Sequence, residues 1–375
     1  MMASAHQDDA KRDFPHTQAV RKTKKTSVQP TQAPHPMSTL TTIHPRQALF
    51  GTEPHPAALP VCDHYAGIEE RMLKSLKLQA EMAEDAGHAV FDVTLDLEDG
   101  APVGGEAEQL DLVCGLVNGP LNAHGRVGVR VHDLHHRHFE QDVDTLVRQA
   151  GERLAYIMVP KIDGEVDASR VLHAIQSARE HHGVTRALPV HGLIETHRGV
   201  QEVAAIARMQ GFESLSFGLM DFVSEHRGAI PASAMGAEGQ FAHPLVLRAK
   251  VEISAACHAA GITPSHGVVT EFKDTRALLK AATKAARELA YTRMWSIHPA
   301  QIPVILDAFT PVVAEVDEAV EILLAAQAEH WAPISHHGVL HDRASYRHHW
   351  YVLERAWVTG QPLPAEVEER FFGDL

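Results

Sequence analysis

The chain has few cysteines, no long apolar run and no surplus of positive charge, and each shortage removes a class of function. Only three cysteines occur in 375 residues (Cys62, Cys114 and Cys257), widely spaced and odd in number. A disulfide framework is therefore not expected, and a reducing compartment is. No apolar run approaches the length a membrane-spanning helix needs, and the amino terminus lacks the apolar centre of a signal peptide. The formal net charge is −14, and the body of the chain carries no long Lys/Arg run, which argues against nucleic acid as a partner. No G-x-G-x-x-G or Walker-type loop follows an apolar run, which argues against a Rossmann domain. These absences leave a soluble, cytoplasmic protein with neither a membrane nor a nucleic-acid partner as the expectation.

What is present is a large core and a regular alternation. The chain is 45% hydrophobic, enough for one big domain. Strands are predicted at Ala48–Phe50, Phe91–Leu97, Val127–Val131, Tyr156–Pro160, Leu188–Ile194, Leu215–Gly218, Pro264–Val268 and Met294–His298. Helical patterns between them include Ile68–Ala86, Phe139–Ala150, Ser169–Glu180, Gly199–Met209, Pro244–Ala260 and Asp274–Ala290. Eight strands, each followed by a helix, predict a (β/α)8 TIM barrel of the α/β class. The domain boundaries expected are a disordered tail at 1–45, the barrel at 46–326 and a carboxy-terminal helical lid at 327–375. The tail mixes Gln, Thr, Pro and His with six positive and three negative charges and no periodicity, and Met37 is an alternative start within it.

Histidine is abundant, 28 residues, with pairs at His135-His136, His181-His182, His336-His337 and His348-His349. None shows the i, i+4 spacing with an intervening Glu of a zinc-hydrolase helix, so these read as solvated surface residues.

In a barrel, catalytic groups sit at the carboxyl ends of strands. Here those ends carry Asp96-Leu-Glu98-Asp99, Arg130-Val-His132, Lys161, Glu195 and Asp221. Glu195 and Asp221 each close a short apolar run, about one strand–helix repeat apart, so neighbouring parallel strands would present both at one edge. Such a pair can hold a hard divalent cation, which takes one or two protein carboxylates and leaves its other positions to water and substrate. Surplus carboxylates at one mouth also require a balancing cation or arginine.

The ordered motifs D-L-E-D-G, V-R-V-H, M-V-P-K, L-I-E-T, F-G-L-M-D-F and S-I-H-P-A-Q-I resemble the citrate lyase β-subunit-like and malyl-CoA lyase enzymes of the HpcH/HpaI aldolase superfamily, over roughly Arg46 to Ala326. The resemblance implies a TIM barrel, Mg²⁺ or Mn²⁺ as cofactor, a homo-oligomer (trimer or hexamer), and carbon–carbon cleavage or formation on a 3-hydroxyacyl-CoA of the malyl-CoA or citryl-CoA type through a metal-stabilised enolate. Residue by residue, it makes Glu195 and Asp221 the metal ligands, and Arg130 the group gripping a substrate carboxylate or carbonyl. Glu98 and Asp99 become the acidic catalytic motif, oriented by Asp96. Arg46 begins an R-S-x-L-F-like strand that binds substrate, and Asp342 is the general acid or base on a lid that closes over a neighbouring subunit.

The sequence also departs from that family. The V-P-G-x-x-P-E-R stretch is replaced by Gly51-Thr-Glu-Pro-His-Pro and Leu59–Gly67, Asn by His132, and a Gly-Lys pair by Arg293-Met294. Asp63 and His64 read as loop residues in the replaced stretch. These changes remove landmarks that hold the CoA arm. Two alternatives therefore stand beside the CoA-ester lyase: an aldolase acting on free keto or hydroxy acids, and a non-catalytic barrel binding a metal and an anion.

Overall fold

A computed structural model describes residues 43–52 and 58–373. Residues 1–42 of the predicted tail, and 53–57 of the stretch after Gly51, lie outside the described residues. The chain begins with helix α1 (Pro45–Phe50), then β1 (Cys62–Ala66), α2 (Glu69–Ala86), β2 (Phe91–Asp96), α3 (Glu106–Asn118), β3 (Val127–Arg130) and α4 (Phe139–Ala150). It continues through β4 (Ile157–Val159), α5 (Glu165–His182), β5 (Val190–Ile194), α6 (His197–Ala207), β6 (Phe212–Phe217), α7 (Leu219–Glu225) and α8 (Pro244–Ala260). Then follow β7 (Thr263–His266), α9 (Thr275–Arg287), β8 (Arg293–Ser296), α10 (Gln301–Phe309) and α11 (Val313–Ala328). Next come β9 (Ile334–His336), β10 (Val339–His341) and α12 (Arg343–Val358), and a short helix α13 (Ala365–Val367) follows.

Strands β1 to β8 run parallel in sequence order and close into a barrel. The seam pairs Cys62 with Met294, Asp63 with Trp295 and His64 with Ser296. The surrounding helices turn one stripe inward: α4 buries Phe139, Val143, Leu146, Val147 and Ala150, the spacing of a single helical face. Among the described residues no helix is long and apolar enough to cross a membrane.

Seven of the eight predicted strands lie where the pattern put them, and the first does not. Ala48–Phe50 belongs to α1, begun by Pro45 at its first position and capped by the His44 ring, which accepts the Arg46 N–H. The first strand is Cys62–Ala66, so Asp63 and His64 are buried strand residues and not loop residues.

The barrel floor is ionic. Arg293 is fully buried, with Nη1 2.6 Å from Asp92 Oδ2 and Nη2 3.1 Å from Asp63 Oδ2. Arg126 adds a second fork onto Asp92 at 2.7 and 2.7 Å, while Thr94 and Tyr156 donate to Asp63 at 2.7 and 3.1 Å. Taking such charges out of water is costly, and the cost is met only because each charge has an opposite partner and further hydrogen bonds. Gly128 makes room for this layer, since a Cβ there would lie 2.1 Å from the Tyr156 ring.

A second apolar cluster joins Leu49 of α1 to Val316, Ile322 and Leu323 of α11, to Tyr346, Trp350 and Leu353 of α12, and to Phe371 and Phe372. The helical extension thus starts at α11, before the boundary expected at 327, and it takes α1 with it. Phe309 of α10 still packs in the barrel core. His348, Tyr351 and Arg355 of α12 face Val61, Thr263 and Thr292 across a cavity of about 870 Å³. These last three stand at the amino-terminal ends of β1, β7 and β8, so α12 lies along the end of the barrel opposite the strand carboxyl termini.

Candidate active site at the barrel mouth

Five strand-end residues form one chain of ionic contacts. Arg130, the last residue of β3, grips Asp96 at the end of β2 through two contacts of 2.8 Å. Its third nitrogen, Nη1, stands 2.8 Å from Glu98 Oε2. Lys161 Nζ donates to the other Glu98 oxygen at 2.6 Å, and the Lys161 backbone N–H donates to Glu195 Oε1 at 2.7 Å. Lys161 adopts φ +53°, a left-handed conformation uncommon outside glycine, and this turn after β4 presents both its amide and its ammonium to the mouth. The Arg130 guanidinium lies over the Tyr65 ring at 4.5 Å, Tyr65 stacks on Trp295, and Trp295 Nε1 donates to Ser216 Oγ at 3.1 Å. An aromatic shelf from β1 and β8 thus fixes the plane of the fork.

Glu195 is 3% exposed immediately after β5. Asp221 lies in the first turn of α7, half-buried. Gly218 lets the two elements meet, because a Cβ there would fall 2.0 Å from Glu195 Oε2 and 2.4 Å from its Cβ. Burial pushes the Glu195 carboxyl up to about 8, reinforced by Asp221 and Glu98 and opposed by Arg130 and the Lys161 amide. Burial likewise raises Glu98, in spite of Lys161. It raises Asp96 too, against the Glu98 and Gly100 backbone donors, and it lowers Arg130 to about 10 against the pull of Glu195 and Asp221. Lys161 is raised: burial opposes its charge, and the Glu98 contact outweighs it.

This is a site with more negative charge than its own cations balance. Glu195 Oε2 and the Asp221 carboxylate accept no hydrogen bond from the described residues, and both are hard oxygen donors. Among the described residues no third His, Cys, Asp or Glu completes a tight trio with them. Two carboxylates with room for water and substrate fit Mg²⁺.

The strand-end residues Asp96, Glu98 and Arg130 are thus in direct contact, Glu195 joins them through the Lys161 amide, and Asp221 acts on Glu195 electrostatically. Asp99 is exposed at the rim, outside the hydrogen-bonded chain. Arg46 is on α1, 2.9 Å from Glu354 of α12, not at a strand end. Asp342 is exposed and caps α12, accepting the Ala344 and Ser345 N–H groups at 2.9 and 3.4 Å. Within its own chain it belongs to the extension and not to the mouth.

Two arrangements were not anticipated from the sequence. Lys161, named at its strand end but given no role, links Glu98 to Glu195. His132 Nδ1 stands 2.6 Å from Asp142 Oδ2 of α4, and its ring stacks on His136 at 4.1 Å. Burial disfavours the imidazolium, and Asp142 outweighs burial to raise the His132 pKa. The signal for Lys161 was its place at a strand end; for Asp142, a carboxylate on a helix's buried face.

The HpcH/HpaI aldolase/citrate lyase family model matches residues 72–299. An L-malyl-CoA/β-methylmalyl-CoA lyase of Cereibacter sphaeroides is 28% identical over 292 residues, covering 74% of this chain and 88% of the relative. A crystal structure of a citrate lyase from Burkholderia xenovorans LB400 superposes with a TM-score of 0.74 at 50% identity, covering 88% of this chain and 100% of that one. The Mycobacterium tuberculosis protein CitE, solved with magnesium, acetoacetate and coenzyme A, shares the fold at a TM-score of 0.57 and 23% identity, covering 80% of this chain and 98% of that one. With the matched segment running from α2 through β8, the chain belongs to the HpcH/HpaI aldolase/citrate lyase family of carbon–carbon lyases.

Proposed function

We propose that this chain is a Mg²⁺-dependent lyase that cleaves or forms the carbon–carbon bond of a 3-hydroxyacyl-CoA of the malyl-CoA or citryl-CoA type. The observation that carries the reading is Glu195: a buried carboxylate with a free oxygen, beside Asp221 and one contact from the Arg130–Glu98–Lys161 chain. The names of the curated relatives supply the substrate class. Magnesium in the related CitE structure agrees with the donor set here; Mn²⁺ is a substitute with the same oxygen preference.

When Glu195 and Asp221 hold such a cation, it supplies Lewis-acid polarisation of a substrate oxygen, worth several kcal/mol. The chain's own residues do the rest. Arg130, planar and held by Asp96 and Tyr65, presents a fixed donor edge to the developing oxyanion of an enolate. Glu98 keeps Arg130 and Lys161 in register. Asp99 at the rim is proposed to contact the substrate through water. Asp342 is proposed as the proton-moving group of a neighbouring copy in a homo-oligomer, since it stands clear of its own mouth. Arg46, tied to Glu354, is assigned no substrate contact.

A second reading, an aldolase on free keto or hydroxy acids, is favoured by one observation. Arg293-Met294 stands where the family has a Gly-Lys pair, so the lysine is replaced by buried, uncharged Met294, and the neighbouring Arg293 is sealed in the barrel floor against Asp92 and Asp63.

A coupled assay separates the two. Purified protein with Mg²⁺ is offered malyl-CoA, citramalyl-CoA and citryl-CoA, and separately oxaloacetate and pyruvate plus aldehydes, with Glu195→Ala as control. Metal-dependent acyl-CoA release that vanishes in Glu195→Ala is the expected result. Turnover of free keto acids alone transfers the assignment to the aldolase.

A further inference from the structure

Far from the mouth's oxygen donors, a different donor set converges: Glu321 on α11 with His336 and His337 on the β9–β10 hairpin. Their three ligand atoms lie within 4.8 Å of one another. The local backbone explains how two adjacent histidines share one target. Strands β9 and β10 pair antiparallel with His336 opposite Val339, which leaves His337-Gly338 as a two-residue turn. Both turn residues have positive φ, +46° and +79°, the conformation a type I′ hairpin needs. In an extended strand, successive side chains would point to opposite faces. The left-handed turn instead brings the His337 ring beside that of His336, centroids 4.1 Å apart.

Both Nε2 atoms then approach the same carboxylate oxygen. His336 Nε2 is 3.1 Å and His337 Nε2 3.8 Å from Glu321 Oε2. Zinc binds such donors at roughly 2.0–2.1 Å, which puts tetrahedral ligands about 3.3 Å apart. The two observed separations bracket that value. Nor does hydrogen bonding account for the approach: His336 Nε2 is buried and makes no hydrogen bond, although the carboxylate is 3.1 Å away. Two imidazole nitrogens and a carboxylate oxygen that converge at this spacing are arranged as co-ligands are. A third imidazole, His341, backs the group with its ring 6.3 Å from that of His336 and its buried Nδ1 also without a hydrogen bond.

We infer that Glu321, His336 and His337 form a site for a borderline divalent cation, Zn²⁺ or an ion with the same liking for imidazole. Nitrogen donors select such ions over Mg²⁺, so the site is chemically separate from the carboxylate pair at Glu195 and Asp221. Three protein ligands leave the fourth tetrahedral position to water. The hairpin has only three residues per strand, with Val339 and Leu340 exposed, and a small two-stranded ribbon is marginal alone. An ion bridging it to α11 anchors it. Because β10 runs directly into Asp342, the cap of α12, the ion also fixes where that carboxylate stands; only this last link rests on the proposed lyase reading.

The test is a calorimetric titration of tag-free, full-length protein with Zn²⁺ in excess Mg²⁺. One tight equivalent of Zn²⁺ is expected. His337→Asn keeps a residue that tolerates the left-handed turn while removing the imidazole, and His337 is 81% exposed, so folding is not at stake. Loss of one ligand should weaken binding at least about tenfold, as metal-site disruptions typically do, and Glu321→Gln should behave alike. Hydrogen exchange of the hairpin amides should slow on adding Zn²⁺ to the wild type and not to His337→Asn. No Zn²⁺ uptake by the wild type, or uptake unchanged in both variants, overturns the inference.

Discussion

Arg130→Lys tests the centre of the site, because lysine keeps the charge and loses the fork. The guanidinium makes two contacts of 2.8 Å to Asp96 and one of 2.8 Å to Glu98. An ammonium replaces one of them, so two charge-assisted contacts disappear. At about 1.5–3 kcal/mol each, the unrelaxed loss is about 3–6 kcal/mol. Asp96 keeps its backbone donors, Glu98 N at 3.0 Å and Gly100 N at 2.6 Å, which places the cost at the lower end, roughly 3 kcal/mol. At about 2 °C per kcal/mol for a large domain, Tm should fall by roughly 6 °C. Turnover should fall further, by about 10²–10³-fold, as removal of one preorganised donor does elsewhere. Scanning calorimetry and the lyase assay read the two effects separately. A variant with wild-type Tm and wild-type kcat/KM would show that the fork neither holds Asp96 nor serves the reaction, and the reasoning would be wrong.

Gly218→Ala forces a Cβ against Glu195, so it should cost about 1–3 kcal/mol by overpacking and about 100-fold in turnover through a displaced carboxylate; Mg²⁺ titration of the variant with unchanged affinity would contradict this. Burial moves the Glu195 pKa from 4.5 to about 8. The folded state then keeps a proton that the unfolded chain releases, so without metal the group's contribution to stability falls as pH rises from about 4.5 to about 8. Measured as Tm relative to Glu195→Gln across that window, wild type should lose ground with pH and regain it with Mg²⁺; parallel curves would refute the shift. Arg293→Met leaves Asp63 and Asp92 short of a counter-charge and should lose roughly 3–5 kcal/mol or fail to fold. Adding Asp63→Asn should recover part of that loss in denaturant melts, and an Arg293→Met variant as stable as wild type would remove the ionic floor from the account.

The barrel was legible because strands two to eight, three to six residues long and most of them rich in Val, Ile, Leu or Phe, recur between helical patterns, and a parallel barrel buries both faces of each strand. The first strand was hidden for the same reason. Cys62-Asp-His-Tyr-Ala carries two polar residues at interior positions, and the partner that makes Asp63 tolerable, Arg293, lies 230 residues away. Ala48-Leu-Phe50 looked like a strand because three apolar residues have no period, whereas Pro45 and the His44 cap decided for helix. In the site, Glu195, Asp221, Arg130 and Glu98 were readable from their places at strand ends. Lys161 became meaningful only through its left-handed backbone, and Asp142 only through the 2.6 Å contact that points it at His132. Asp342 was matched to a catalytic acid by resemblance alone, although an Asp before a helix also suits a cap. Within one chain it is a cap.

The ionic floor also bears on the order in which this molecule can be made. Asp63 and Asp92 leave the ribosome with β1 and β2, some 200 residues before the arginine that faces both of them emerges with β8. Arg126 can neutralise Asp92 in the meantime, but among the described residues no earlier arginine pairs with Asp63. A growing chain that tried to seal its interior early would trap an uncompensated carboxylate in it. Closure of the seam between β1 and β8 is therefore the step that brings Asp63 its counter-charge.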